Sequence, residues 1–170
     1  MKSVSFLQCP AVINEGVFYG CEFLSNVAIV KETVQDGQLG VEEDLCGYCI
    51  DIIRKYAFYN CNLFPASINK LIEHVEIIEP YAFAKNNKII NYLQFAPTIE
   101  DLRKRSNNQM LVINSDTKQI GDYAFAGANF ILFDSDSPEL FNISSLAFNP
   151  IHDDGYNEYL GAMSRVFAVP

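Results

Sequence analysis

The hexapeptide IEPYAF, residues 78–83, decides how this chain folds, because four close copies of it recur: INEGVF at 13–18, IRKYAF at 53–58, IGDYAF at 120–125 and ISSLAF at 143–148. An isoleucine opens each copy, a phenylalanine closes it, and Val17 or one of Ala57, Ala82, Ala124 and Ala147 precedes that phenylalanine. Between these apolar positions stand polar or turn residues such as Glu15, Lys55, Pro80, Asp122 and Ser145. The agreement runs on downstream. The third residue after the phenylalanine is Cys21, Cys61, Asn86 or Ala128, and the sixth is Leu24, Phe64, Ile89 or Ile131, the fifth copy departing from the pattern. The expected repeat core is therefore Ile13, Phe18, Leu24, Ile53, Phe58, Phe64, Ile78, Phe83, Ile89, Ile120, Phe125, Ile131, Ile143 and Phe148.

Successive phenylalanines lie 40, 25, 42 and 23 residues apart. The short intervals give the base period, which falls in the roughly 20–29-residue range of leucine-rich repeats, and the long ones carry insertions or eroded copies. One such unit cannot bury its apolar edge alone, whereas stacked units set isoleucine on isoleucine and phenylalanine on phenylalanine. After each hexapeptide come stretches rich in branched and aromatic residues, NVAIV, INKLIE, INYLQF and NFILF, which read as strands. Each unit thus reads as a turn, one strand and a return segment.

GVFYGCEFL and YAFYNCNLF resemble the BspA-type leucine-rich repeat closely, and YAFAGANFI does so with alanine in place of cysteine. The resemblance spans roughly Ile13 to Phe148 and extends to the terminal RVFAVP. It implies a right-handed leucine-rich-repeat solenoid of the α/β class, rich in β structure: short parallel strands stacked one per repeat, joined by loops and short 3-10 or helical turns. It also implies a non-catalytic adhesion or recognition role at a cell surface.

The insertions fall at about residues 31–51 and 98–110. The first, KETVQDGQLGVEEDLCGYCID, holds three glycines and six acidic residues and reads as a loop or distorted turn. In the second, Thr98 is placed to cap a helix, with Glu100 and Asp101 in its first turn and Arg103, Lys104 and Arg105 near its end, a charge order that suits the helix dipole. QMLVIN then reads as a strand, IHDDGYNEYLGAM as a terminal loop and SRVFAVP as a closing strand. Nothing resembles a linker, so residues 1–170 are expected to form a single domain.

Composition bounds the function. The 170 residues are 49% hydrophobic, with 13 Phe, 9 Tyr and no Trp, as in a folded globular protein. A net charge of −9 opposes binding to nucleic acid or to anionic membranes. No apolar run reaches the roughly 18 residues of a membrane-spanning helix. No secretory signal is visible at the amino terminus, and five cysteines, an odd number, lean towards a reducing compartment.

Chemistry-bearing residues are few. Cys46 and Cys49 form one Cys-x-x-Cys pair, short of the four ligands of structural zinc; in an exported protein, a disulfide between them or to a neighbour is expected. Cys21 and Cys61 read as small apolar fillers of a repeat slot. His74 and His152 lie in no nucleophile motif, and the HDDG run at 152–155 lacks the alternating oxygens of a calcium loop. Asn142 begins a glycosylation sequon, and Arg103 to Arg105 read as an exposed helix end. No catalytic residue, cofactor or metal is expected. The reading is a binding or adhesion module for a protein or glycan partner, with an intracellular scaffold as the alternative; localisation divides the same way, cell surface by resemblance and cytoplasm by the missing signal.

Overall fold

The computed structural model describes residues 1–35, 38–43, 49–89, 110–128, 130–133, 142–149, 151 and 165–168. Among these residues the backbone is strand-rich, with one helix. Each hexapeptide isoleucine ends a two-residue strand: β2 (Val12–Ile13), β5 (Ile52–Ile53), β6 (Ile77–Ile78), β8 (Gln119–Ile120) and β10 (Asn142–Ile143). These pair in parallel as one five-stranded sheet in the order β10-β8-β6-β5-β2, and the register sets Ile13 beside Ile53, Ile53 beside Ile78, Ile78 beside Ile120 and Ile120 beside Ile143. Because β2 pairs directly with β5 and β6 with β8, both long intervals are excursions and no eroded copy intervenes in this sheet.

The turn that follows each isoleucine is tied to the next by backbone hydrogen bonds running one way. Gly16, Phe18 and Gly20 donate N–H to the carbonyls of Lys55, Ala57 and Tyr59; Tyr56, Phe58 and Asn60 donate to Pro80, Ala82 and Ala84; Phe83 donates to Ala124, and Phe125 to Ala147. That spacing is right for aromatic stacking. Phe18, Phe58, Phe83, Phe125 and Phe148 form a continuous column with ring centroids 5.1, 5.3, 5.1 and 6.0 Å apart, closed edge-on by Phe6 at one end and Phe133 at the other. Phe58, Phe83 and Phe125 are wholly buried. A further constraint acts at Gly121, where a Cβ would stand 2.6 Å from the Pro80 nitrogen of the neighbouring turn.

A second set of strands lies between the hexapeptides and at both ends of the array, so most units build two strands where the sequence pattern implied one. β1 (Ser3–Phe6) lies parallel to the first part of β3 (Asn26–Gln35), and β7 (Leu111–Ile113), β9 (Phe130–Phe133) and β11 (Arg165–Ala168) form a parallel sheet in the order β11-β9-β7. Val27, Ile29, Leu111, Ile113, Ile131 and Phe133 turn inward onto the phenylalanine column. Within the first insertion, which was expected to be a loop or distorted turn, the described residues include paired strands. The far half of β3 pairs antiparallel with β4 (Gln38–Glu43), with Val30 opposite Glu43 and Gln35 opposite Gln38. The second insertion, with its expected helix from Thr98, lies outside the described residues, as do INYLQF and the HDDG run.

INKLIE does not form a strand. Pro65 occupies the first turn of α1 (Pro65–Leu71), where a missing N–H costs nothing, and Pro65, Ile68, Leu71 and Ile72 recur at helical spacing and are buried. The helix fills the gap between β3 and β7 and replaces a strand's backbone groups with side chains. Ser67 Oγ accepts from Val27 N–H at 2.8 Å and donates to Val27 O at 3.2 Å. On the other side Asn69 Nδ2 donates to Met110 O at 2.8 Å, and Asn69 Oδ1 accepts from Val112 N–H at 2.9 Å.

The same helix displaces one expected core residue. Phe64 is 49% exposed, because its backbone N–H is spent on Ser25 O and it stands as the residue before the first helical turn; Leu63, one position earlier, is the buried residue there. Ile13, Phe18, Leu24, Ile53, Phe58, Ile78, Phe83, Ile89, Ile120, Phe125, Ile131 and Phe148 are buried, and Ile143, at the sheet edge, is half-buried.

Two substitutions probe this packing. Phe83→Ala opens the middle of the column and is expected to cost roughly 3–5 kcal/mol, read as a lowered denaturant midpoint; an unchanged midpoint would remove Phe83 from the stack. Asn69→Leu keeps the side-chain volume but orphans one carbonyl and one N–H on the β7 edge, so a loss of about 2–4 kcal/mol is expected, with faster amide exchange at Val112 as its local signature.

Candidate functional site

In the first four turns, two backbone positions bend the chain through the left-handed region. The first is the fourth residue of the hexapeptide: Gly16 (φ 62°), Tyr56 (58°), Tyr81 (60°) and Tyr123 (56°). The second follows the phenylalanine by two residues: Gly20 (71°), Asn60 (57°), Lys85 (57°) and Gly127 (78°). Glycine and asparagine suit such angles, whereas a bulky side chain there costs about 1–2 kcal/mol. Three of the five copies nevertheless place tyrosine at the first position.

Those tyrosines build an outer aromatic cluster. Tyr56 stacks on Tyr81 at 5.1 Å between ring centroids and Tyr81 on Tyr123 at 5.2 Å. Alongside them Tyr19 stacks on Tyr59 at 4.9 Å, and Tyr56 meets both Tyr59 and Tyr19 edge-on. Lys55 Nζ lies 4.9 Å from the Tyr56 centroid and Lys85 Nζ 5.8 Å from that of Tyr59. Tyr19 is exposed and the other four are half-buried, so the cluster is a surface feature while the phenylalanine column is interior. The Tyr81 phenol is held above its ordinary pKa, first by partial desolvation within the stack and then by repulsion from the charged forms of Tyr56 and Tyr123 and from Asp122, Tyr59 adding to this.

Neighbouring carboxylates are mostly engaged. Glu79 binds Arg54 at 3.0 Å and accepts from Lys55 N–H at 2.9 Å, Glu22 accepts from Asn60 Nδ2 at 3.0 Å, and Asp122 accepts from Ser144 Oγ. The hexapeptide pattern contained this site in its fourth column, Tyr56, Tyr81 and Tyr123. Reading the hexapeptide as a purely inward device overlooked it, because the backbone angle that turns those rings outward has no signature in side-chain polarity.

The other singled-out residues do not converge on a reactive centre. His74 Nδ1 lies within hydrogen-bond distance of Asp116 Oδ2, at 2.7 Å, a contact that ties the segment after α1 to the one after β7, while His152 lies outside the described residues. Among the described residues no three of His, Cys, Asp and Glu are grouped as metal ligands would be, and no helix is long and apolar enough to cross a membrane. Asn142 is exposed at the edge strand β10. Cys49 pairs with Cys9, not with Cys46, which lies outside the described residues; the Cys9–Cys49 disulfide closes a 40-residue separation with the Cα atoms 5.7 Å apart. A loop of that size stabilises by on the order of 3–4 kcal/mol through lost chain entropy. Cys21 and Cys61 carry free thiols.

Residues 51–152 match the family model described as the BspA type leucine rich repeat region, in 6 copies, which is more than half of the chain. The chain belongs to the BspA-type leucine-rich-repeat family. This family is generally a non-catalytic repeat domain that serves protein interaction. No curated protein and no solved structure gives a match. In this BspA-type chain the match covers the turns bearing Tyr56, Tyr59, Tyr81 and Tyr123, so most of the aromatic cluster is built on the repeat itself.

Cys61 offers a test of how tightly the turns close. Its thiol is buried, donates to Phe18 O at 3.1 Å, and is pushed up to about 12 by burial and then by the nearby Cys21. Thiolate is the reactive form, so at pH 8 Cys61 stays neutral in the folded protein. An alkylating reagent is expected to label half-buried Cys21 and to reach Cys61 only after denaturant is added, as mass spectrometry of the peptides would show.

Proposed function

We propose that this protein is a non-catalytic binding module, a right-handed solenoid forming one domain over residues 1–170, that engages a protein partner across its tyrosine face. The observation that carries this reading is the left-handed backbone at Tyr56, Tyr81 and Tyr123. Strained conformations of this kind gather at functional sites, and tyrosine is enriched among the residues that dominate protein interfaces, where a rigid ring supplies area at little entropic cost.

An adhesive role in an oxidising, extracellular setting fits the Cys9–Cys49 disulfide, since such bonds persist outside the reducing cytosol. It also fits the family's use as an interaction module. The odd number of cysteines that leaned towards a reducing compartment weighs less once one pair is joined.

The test is a binding screen of the intact chain against immobilised purified matrix and plasma proteins, repeated with the double variant Tyr56→Asn/Tyr81→Asn. Asparagine tolerates the left-handed angle, so the variant keeps its fold, and its melting temperature is expected to stay within a few degrees of the parent. Any partner found is expected to bind the variant at least about tenfold more weakly, since interface tyrosines contribute upwards of roughly 1 kcal/mol each. Equal binding by the two proteins would move the site elsewhere.

A further inference from the structure

The first and second turns of the array are related by a shift of 40 residues that strands, rings and disulfide all obey. It joins Val12 to Ile52 and Ile13 to Ile53 in the sheet, stacks Phe18 on Phe58 and Tyr19 on Tyr59, and sets Cys9 against Cys49 with their Cα atoms 5.7 Å apart. Cys21 and Cys61 hold a further matched pair of places at the same shift. Hydrogen bonds between the turns bracket them, from Gly20 N–H to Tyr59 O at 2.8 Å on one side and from Asn62 N–H to Leu24 O at 3.0 Å on the other. Backbones so tied run about 4.8 Å apart, inside the roughly 4.4–6.8 Å between Cα atoms that a disulfide spans. The two side chains are neighbours: the Cys61 thiol donates to Phe18 O at 3.1 Å, and its sulfur lies near the Cys21 amide and thiol.

We propose that Cys21 and Cys61 are a second, reversible cross-link site, a dithiol that a low-molecular-weight disulfide oxidises so as to fasten the first turn onto the second. Access sets the order of events. Cys21 is half-buried and Cys61 wholly buried, so the Cys21 thiolate attacks the small disulfide first, forming a mixed disulfide and expelling one small thiol. Cys61 then attacks the Cys21 sulfur, and the second small thiolate leaves and takes up the Cys61 proton. Two protein thiols are oxidised and one small disulfide is reduced to two thiols. Burial leaves little Cys61 thiolate, which slows this closing step, but a thiolate of high pKa is the stronger nucleophile and its target is held beside it. The effect falls on an edge. β2 is the edge strand of its sheet, so the first turn is held from one side there, and that turn carries Tyr19. Later turns have Asn86 and Ala128 in the cysteine slot, which confines the device to the edge turn, where fraying starts.

The experiment incubates the full chain at about pH 8 with oxidised glutathione, quenches with acid, blocks the remaining thiols in denaturant and maps peptides by mass spectrometry. Cleavage after Glu, Lys and Arg places Cys9, Cys21 and Cys61 on separate peptides. The expected product joins the Cys21 and Cys61 peptides, two hydrogens lighter than the separate thiols. Amide exchange at Phe18 and Gly20, whose N–H groups hold the first turn to the second, is expected to slow at least about tenfold on closure. Cys61→Ala, which gives the slot the residue that Ala128 already places there in the fourth turn, is expected to fold and to stop at the mixed disulfide on Cys21. A parent chain that also stops there, or that joins Cys21 to Cys46, would overturn the pairing. No reaction at Cys21 would overturn it as well, and closure without slower exchange would overturn the fastening of the turn.

Discussion

The structure depends on a one-way hydrogen-bond ladder between turns. Every second N–H of one turn donates to a carbonyl of the next, from Gly16, Phe18 and Gly20 onto Lys55, Ala57 and Tyr59 and onward to Phe125 onto Ala147. This fixes the distance between turns near that of strands in a sheet. Because the same distance suits offset aromatic stacking, side chains at equal positions in successive turns stack without adjustment. Phenylalanine inside and tyrosine outside obey one spacing for one reason.

The ladder also explains why α1 can replace a strand. β3 and β7 face each other across a unit whose sequence prefers a helix, and a helix has no free backbone groups in its middle to offer a neighbouring strand. Ser67 and Asn69 supply them instead, each giving one donor and one acceptor. A buried strand edge left unpaired would cost several kcal/mol, so these two polar side chains matter as much to continuity as the apolar residues around them.

What was legible in the sequence follows from which forces leave a periodic mark. Burial does, so the isoleucines, the phenylalanines and the parallel register between Ile13 and Ile143 could be read from five aligned segments. Helix α1 was misread because Ile68, Leu71 and Ile72 serve a strand or a helix equally, and Pro65 was the sign that should have decided it. The antiparallel pairing of β3 with β4 likewise lay inside a stretch whose glycines and acidic residues read as a loop. The partner of Cys49 was not legible at all, since a disulfide across 40 residues depends on the stacking of two turns and not on local spacing. The tyrosine face was visible as a column but not as a surface, because outward direction is set by a dihedral angle.

Energy separates the two aromatic stacks. Each buried phenylalanine gains about 1.5–3 kcal/mol from leaving water, and its stacking adds to that. A half-exposed tyrosine gains far less from burial, while its left-handed backbone costs about 1–2 kcal/mol and a stacked pair returns about 0.5–1.5 kcal/mol. The tyrosines therefore come close to breaking even on stability. Gly16 makes the same turn without the penalty, and Leu146 holds the equivalent place in the fifth copy without a left-handed angle, so the repeat does not require tyrosine there. What the tyrosines do add is a column of stacked rings at the surface, Tyr56 on Tyr81 at 5.1 Å and Tyr81 on Tyr123 at 5.2 Å, built on the same turns that carry the phenylalanines inside.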